Sequence, residues 1–224
     1  MVKVSLSRDE PNLREQAYDS FTRHLLARDI RPGQFVSQRE LVALTGLPLG
    51  AIRELVPRLE AEGLIRTIPQ RGMQVAHVDL GLIRDAFQFR LFIEREAVRI
   101  FTLQVSDTVL TRLRGDHERV LADCSKCGVK PDVVARAQAV DWDLHWTIVA
   151  SLNNAIISDV YRVNSIKVRL IRQEQTLLSE PLVEPVMQEH LSVIAAIESR
   201  DVACAVAAMD AHISSAKTRA LGLR

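Results

Sequence analysis

Residues 37–65 read Ser37-Gln38-Arg39-Glu40-Leu41-Val42-Ala43-Leu44-Thr45-Gly46-Leu47-Pro48-Leu49-Gly50-Ala51-Ile52-Arg53-Glu54-Leu55-Val56-Pro57-Arg58-Leu59-Glu60-Ala61-Glu62-Gly63-Leu64-Ile65, and this stretch decides the N-terminal fold. Ser37 followed three residues later by Glu40 forms a capping box, two partners that satisfy each other's backbone donors at a helix start. Leu41, Val42 and Leu44 supply that helix's apolar face, and Thr45-Gly46 closes it. A second helix runs from about Pro48 with Ile52, Leu55, Val56 and Leu59 inward and Arg53 and Arg58 outward. Pro57 inside it removes one backbone hydrogen bond, which should bend the helix or loosen its last turn. Glu62-Gly63 ends it.

Upstream, Leu13, Ala17, Phe21, Leu25 and Leu26 recur at about four-residue spacing and predict a helix that stops at Ile30-Arg31-Pro32-Gly33. Downstream, Leu64–Ile68 and Met73–Val78 read as two strands around the turn Pro69-Gln70-Arg71-Gly72. Three helices followed by a two-stranded wing predict a winged helix-turn-helix over residues 1–78. In that architecture the third helix enters the major groove and the wing reaches an adjacent groove or phosphate. Arg39, Arg53 and Arg71 stand where such a reader needs cations. Residues 1–78 hold 11 Lys/Arg against 9 Asp/Glu, and the remainder 18 against 19, an asymmetry too weak to imply DNA by itself. More telling is that all but one of the first segment's cations are Arg, whose fork fits phosphates and guanine edges.

From residue 79 to 224 helical periodicity prevails, with helices expected at roughly 79–104, 107–123, 131–152, 154–178, 182–199 and 201–221. The overall expectation is a mainly α chain: a winged helix-turn-helix joined to an all-α six-helix bundle. A hydrophobic share of 47% with only 4% aromatics suits helices packed on helices. No apolar run reaches membrane-spanning length and the N-terminus lacks a signal-peptide core, so a cytoplasmic protein without membrane contact is expected. The three cysteines, Cys124, Cys127 and Cys204, do not suggest a disulfide framework. Cys124-Ser125-Lys126-Cys127 has redox or zinc spacing but no second pair; it is expected in an interhelical loop and is read as incidental.

Asp141 and His145 lie four apart on one predicted helix and so share a face, while His190 and His212 lie on two further helices among core-like residues. Three imidazoles and one carboxylate facing inward can hold a divalent ion of the Zn, Ni or Mn class and leave positions open for a small anion. Asp143 should face another side. His24, His77 and His117 match no ligand position and read as ordinary core or surface residues. Arg90, on the inner face of the first helix of this bundle, is either a clamp for an organic acid or an i,i+4 partner of Glu94. Asn153 either caps the next helix or lines the pocket, and Arg169 is a further candidate anion contact.

Phe21 through Val78, above all Leu59-Glu60-Ala61-Glu62-Gly63-Leu64 and Arg71-Gly72, resembles the DNA-binding domain of GntR-superfamily transcriptional regulators. The resemblance implies that Arg39, Arg53 and the Arg71-Gly72 tip contact DNA. It also marks a departure: where the family commonly has Gly-Val-Ser-Arg-Thr-Pro-Val-Arg, this chain has Gly46-Leu47-Pro48-Leu49-Gly50-Ala51-Ile52-Arg53, so a hydroxyl cap and a base-reading Arg give way to Pro48 and Leu49. Proline suits a first helical turn. Farther on, Phe89–Glu94, Asp141–His145, Glu189–Ile197 and Met209–Ile213 resemble the FCD ligand-binding domain of the FadR subfamily, in its shorter six-helix group. By that likeness the metal ligands are Asp141, His145, His190 and His212. The likeness further implies a homodimer on an inverted-repeat operator of double-stranded DNA, a small organic acid effector, and a ligand-responsive regulator, most often a repressor, rather than an enzyme. The alternatives are a metal-dependent enzyme fused to a DNA-binding module, which lacks a convincing base or nucleophile beyond the ligands, and a metal sensor without an organic effector.

Overall fold

The computed structural model describes residues 13–175 and 180–223. The chain divides into two compact units, one ending at Val78 and the next beginning at Asp79. In the first unit α1 spans Leu13–Leu26, β1 Phe35–Val36, α2 Gln38–Thr45, α3 Leu49–Ala61, β2 Ile65–Ile68 and β3 Gly72–Val75. Ser37 and Glu40 form both arms of the capping box, Ser37 Oγ accepting from Glu40 N–H at 3.2 Å and Glu40 Oε2 from Ser37 N–H at 2.6 Å. Gly46, at φ 70°, supplies the left-handed residue that ends α2. Pro57 sits inside α3, which continues through it to Ala61. Phe21, Leu25, Leu41, Ile52, Leu55 and Leu59 are buried together with Met73 and Val75 of the wing. Burying each such side chain contributes about 1.5–3 kcal/mol.

The wing has one more strand than the sequence pattern predicts. β1 pairs antiparallel with β3, Phe35 opposite Gln74, and the sheet order is β1-β3-β2. A two-residue strand shows no alternation, so nothing periodic announced it. Its presence explains Gly72: φ is 92° there, and a Cβ would stand 3.2 Å from the Val36 carbonyl oxygen.

The second unit consists, among the described residues, of six helices: α4 Leu80–Gln104, α5 Asp107–Cys127, α6 Pro131–Ala150, α7 Ala155–Gln175, α8 Glu180–Glu198 and α9 Val202–Ala220. Asp79, Ser106 and Asp201 cap α4, α5 and α9 through their side-chain oxygens. α4 is the central helix and packs against α6, α7, α8 and α9. α5 corrects one expectation: it runs through Cys124-Ser125-Lys126-Cys127 rather than ending before it, and stops at Gly128, φ 70°. Cys124 is therefore no loop residue; it is 5% exposed and packs with Val120, Val133, Ala137, Val183, Val186 and Met187. Among the described residues no helix is long and apolar enough to cross a membrane.

Candidate metal centre and DNA-facing residues

α6 presents Asp141 and His145 one turn apart, α8 presents His190 and α9 His212, and all four are 4% exposed or less. One ring nitrogen from each of the three histidines falls within 4.8 Å of the others. His190 Nε2 is 3.3 Å from His212 Nε2 and 3.4 Å from Asp141 Oδ1.

The heavy-atom contacts assign the tautomers. His117 Nδ1–H donates to the Leu113 carbonyl at 2.7 Å, so His117 Nε2 is an acceptor and takes the Nδ1–H of His190 at 3.0 Å. His212 Nδ1–H donates to Glu189 Oε2 at 2.9 Å. His190 and His212 thus turn Nε2 lone pairs toward each other, an arrangement that repels unless a proton or a cation lies between them. A proton is disfavoured: burial, reinforced by His212, His145, His117 and Arg90, pushes His190 well below the usual histidine range, and burial brings His212 down to about 4 despite Glu189. A cation fits. Two imidazole nitrogens bound to one tetrahedral ion at about 2.0–2.1 Å stand roughly 3.3 Å apart.

His145 is held differently. Its Nδ1 lies 2.7 Å from Glu94 Oε2, a contact too poorly aligned to count as a hydrogen bond, and its Nε2 receives an Arg90 N–H at 2.5 Å. Of the two readings of Arg90, the geometry shows the i,i+4 pair: its Nε also contacts Glu94. Glu94 accepts from the Tyr161 hydroxyl at 2.7 Å; burial would raise its carboxyl, but Arg90 and His145 hold it far below the carboxylate range. For His145 to join His190 and His212 around one ion, Arg90 has to move off its Nε2.

Three guanidiniums meet three carboxylates around the triad: Arg90 with Glu94, Arg172 with Asp141 at 2.6 Å, and Arg219 forked onto Glu189 at 2.6 and 3.0 Å. Burial opposes ionisation of Glu189, yet His212, Arg219 and Ser215 bring it to about 2. A cavity of about 20 Å³ lies here, walled in part by Arg90, Asp141, Arg172, His212 and Arg219. It admits a water-sized group.

The structure does not bring every candidate to this place. Asn153 is exposed in the turn after α6, at φ 49°, and the cap on α7 comes from Asn154, whose Oδ1 accepts from Ile157 N–H at 3.1 Å. Arg169 lies away from the triad, its guanidinium over the Trp142 ring at 5.5 Å. Asp143 turns outward to Arg112 at 2.6 Å. Conversely, sequence reasoning passed over His117, Glu189, Arg172 and Arg219. A signal for His117 was available: Leu110, Leu113, His117, Val120 and Cys124 are spaced as one helical face, and all five are buried.

In the first unit Arg39, Arg53, Arg71 and Gly72 are all exposed. Arg71 stacks on Phe35 of β1 at 4.4 Å. Arg58, expected to face outward, is instead tied to Glu15 and Glu62 and lies 3.9 Å over the Tyr18 ring. Pro48 stands at the N-terminus of α3 without a side-chain cap, and Leu49 beside it is 38% exposed.

A winged helix in one unit and a buried imidazole cluster in an all-helical second unit define the architecture. Residues 13–75 match the family of bacterial regulatory proteins named gntR, and residues 85–215 match the FCD domain. The chain belongs to the GntR family of DNA-binding transcriptional regulators with a C-terminal FCD domain, a family of regulators rather than enzymes. It is 29% identical over 84 residues to the Nta operon transcriptional regulator of Aminobacter aminovorans, covering 38% of this chain and 40% of that one. Over 106 residues it is 27% identical to an HTH-type transcriptional regulator in an unstable DNA locus of Streptomyces ambofaciens, covering 47% and 45%. The chain thus spans less than half the length of these curated relatives. Two solved structures share the fold: a GntR transcriptional regulator from Rhodococcus sp. RHA1, TM-score 0.76 at 15% identity over 94% of this chain and 98% of that one, and E. coli McbR/YncC, TM-score 0.72 at 16% identity over 91% and 94%.

Proposed function

We propose that this regulator binds one divalent metal ion through His145, His190, His212 and Asp141, and that a small organic acid at that centre changes its hold on an operator. The observation that carries the reading is the pair of Nε2 lone pairs 3.3 Å apart, each imposed by a partner at Nδ1. A bound ion would supply Lewis acidity and, at a coordination number above four, open positions for an effector carboxylate. The residues do the rest. His117 and Glu189 fix the ring orientations of His190 and His212. Arg172 holds Asp141, and Arg90, once off His145, offers a bidentate fork to an acid.

Charge narrows the effector. With three guanidiniums against three carboxylates the buried cluster is balanced, so a divalent ion adds two uncompensated positive charges in a desolvated site. A small di-anion restores the balance where a neutral ligand does not. The cavity of about 20 Å³ is too small for such a molecule, so entry requires the Arg90 and Arg219 side chains to move. That movement is the proposed switch.

On the DNA side Arg53 reads bases, Arg39 and Arg71 hold phosphates, and a homodimer sets half-site spacing on an inverted repeat. Repression through release of the operator by the effector is the expected sense. To test this, an operator is selected from random duplexes with the metal-loaded protein, and affinity is then measured across a series of mono-, di- and tricarboxylates. A tenfold or larger change with a dicarboxylate is expected, which is about 1.4 kcal/mol of coupling. Unchanged affinity with every acid would defeat the effector reading. Loss of DNA binding on chelation alone, with no acid effect, would favour a metal sensor.

A further inference from the structure

A second cleft, of about 330 Å³, opens between α6 and α7. Its walls include Trp142, Trp146, Tyr161, Ile166, Arg162 and Arg169, and no Asp or Glu lines it. That volume lies within the range of small-molecule sites, and the lining of aromatic rings with a few polar groups is typical of them.

Two features specify what it takes. The first is flat apolar wall. Trp146 is 41% exposed with its ring centroid 6.4 Å from that of Tyr161, and the Tyr161 hydroxyl is already donated to Glu94 at 2.7 Å. Tyr161, 2% exposed, thus lines the cleft without offering it a free hydroxyl. The second is charge. Arg172 beside the cleft is turned to Asp141, but among the described residues no carboxylate pairs with Arg169. Its guanidinium lies over the Trp142 ring at 5.5 Å, with the like charge of Arg172 acting on it and Asp141 felt more weakly. A cation held over an indole without an anionic partner is a poised anion contact.

We infer that this cleft is a second ligand site, distinct from the metal centre, for a planar aromatic carboxylate: the ring stacks against Trp142, Trp146 and Tyr161 and the carboxylate pairs with Arg169. The chain's only two tryptophans, Trp142 and Trp146, both line it, so intrinsic indole emission reports occupancy directly. The full chain is titrated with benzoate, with cyclohexanecarboxylate as a probe of equal charge and no π face, and the benzoate titration is repeated on Arg169→Met. Saturable change of indole emission by benzoate is expected, weakened at least tenfold for cyclohexanecarboxylate and again for Arg169→Met. Arg169 is exposed, so that variant should fold, and an unchanged far-UV circular dichroism spectrum verifies it. The readout needs no metal, so its failure is separate from failure of the metal centre. Emission indifferent to benzoate, or Arg169→Met titrating like the parent chain, would overturn the proposal. Emission that follows protein concentration but not benzoate would also overturn it, showing that a second copy of the chain covers the cleft.

Discussion

His117→Phe removes the hydrogen bond to His190, along with the one to the Leu113 carbonyl, and should weaken metal binding without touching a ligand. In the parent chain the His190 Nδ1–H reaches His117 Nε2 at 3.0 Å, in a site where both rings are 0% exposed. Metal binding at His190 Nε2 obliges the proton to sit on Nδ1. In the metal-free variant that proton is free to move to Nε2, where His212 Nε2 at 3.3 Å and Asp141 Oδ1 at 3.4 Å stand ready to accept it. The penalty therefore falls on the metal-bound form, which must keep a buried donor without an acceptor. Such a donor costs about 1–3 kcal/mol, or roughly 5- to 150-fold in the dissociation constant. That span contains the 10- to 100-fold commonly lost when an outer partner of a ligating histidine is removed. Calorimetric titration of metal-stripped protein with Zn²⁺ measures it. His117→Gln, which keeps an acceptor of similar reach, should recover most of the affinity. If His117→Phe folds normally and binds Zn²⁺ as tightly as the parent chain, the tautomer argument is wrong.

Other variants test other links. Arg53→Ala should cost about 1–3 kcal/mol of operator affinity and relax sequence preference, whereas Arg39→Ala should weaken binding to all sequences and lower the salt slope by about 1; a filter-binding series in salt separates the two. Ser37→Ala removes the hydroxyl arm of the capping box while leaving its backbone N–H to Glu40, and should lower stability by about 1 kcal/mol in urea melts, with an unchanged midpoint as the contrary result. Gly72→Val forces a β-branched residue to φ 92° against the Val36 carbonyl, so destabilisation by about 1–3 kcal/mol is expected from the same melts. A stable Gly72→Val chain that has lost DNA affinity would instead make Gly72 a contact residue.

Much of the fold was legible because its signals are local. Ser37 with Glu40, the Pro32-Gly33 break and the Leu-Glu-Ala-Glu-Gly run each act within a few residues, and α1 ends at Leu26, the last of its periodic apolar positions and shortly before the predicted stop at Ile30. Part of the convergence was legible for a related reason, since Asp141 and His145 are neighbours on one helical face. What was missed is nonlocal. The partner of His190 is 73 positions away, and Arg219 lies 30 from Glu189. β1 has only two residues, and its pairing with β3 leaves no periodic trace. The end of α5 was misplaced because Cys124, Ser125 and Lys126 are all tolerated in helices, while the true stop is Gly128, at φ 70° and ψ 172°. Asn153 and Asn154 are chemically the same, and only the backbone decides which one caps α7.

The most direct measurement is metal content. Protein stripped with a chelator and reloaded with excess Zn²⁺, Ni²⁺ or Mn²⁺ is desalted and analysed for bound ion, beside a His190→Ala variant treated in the same way. Close to one ion per chain in the parent and close to none in His190→Ala is the result that the convergent imidazoles require. No retained ion in the parent, or equal retention in His190→Ala, would contradict it.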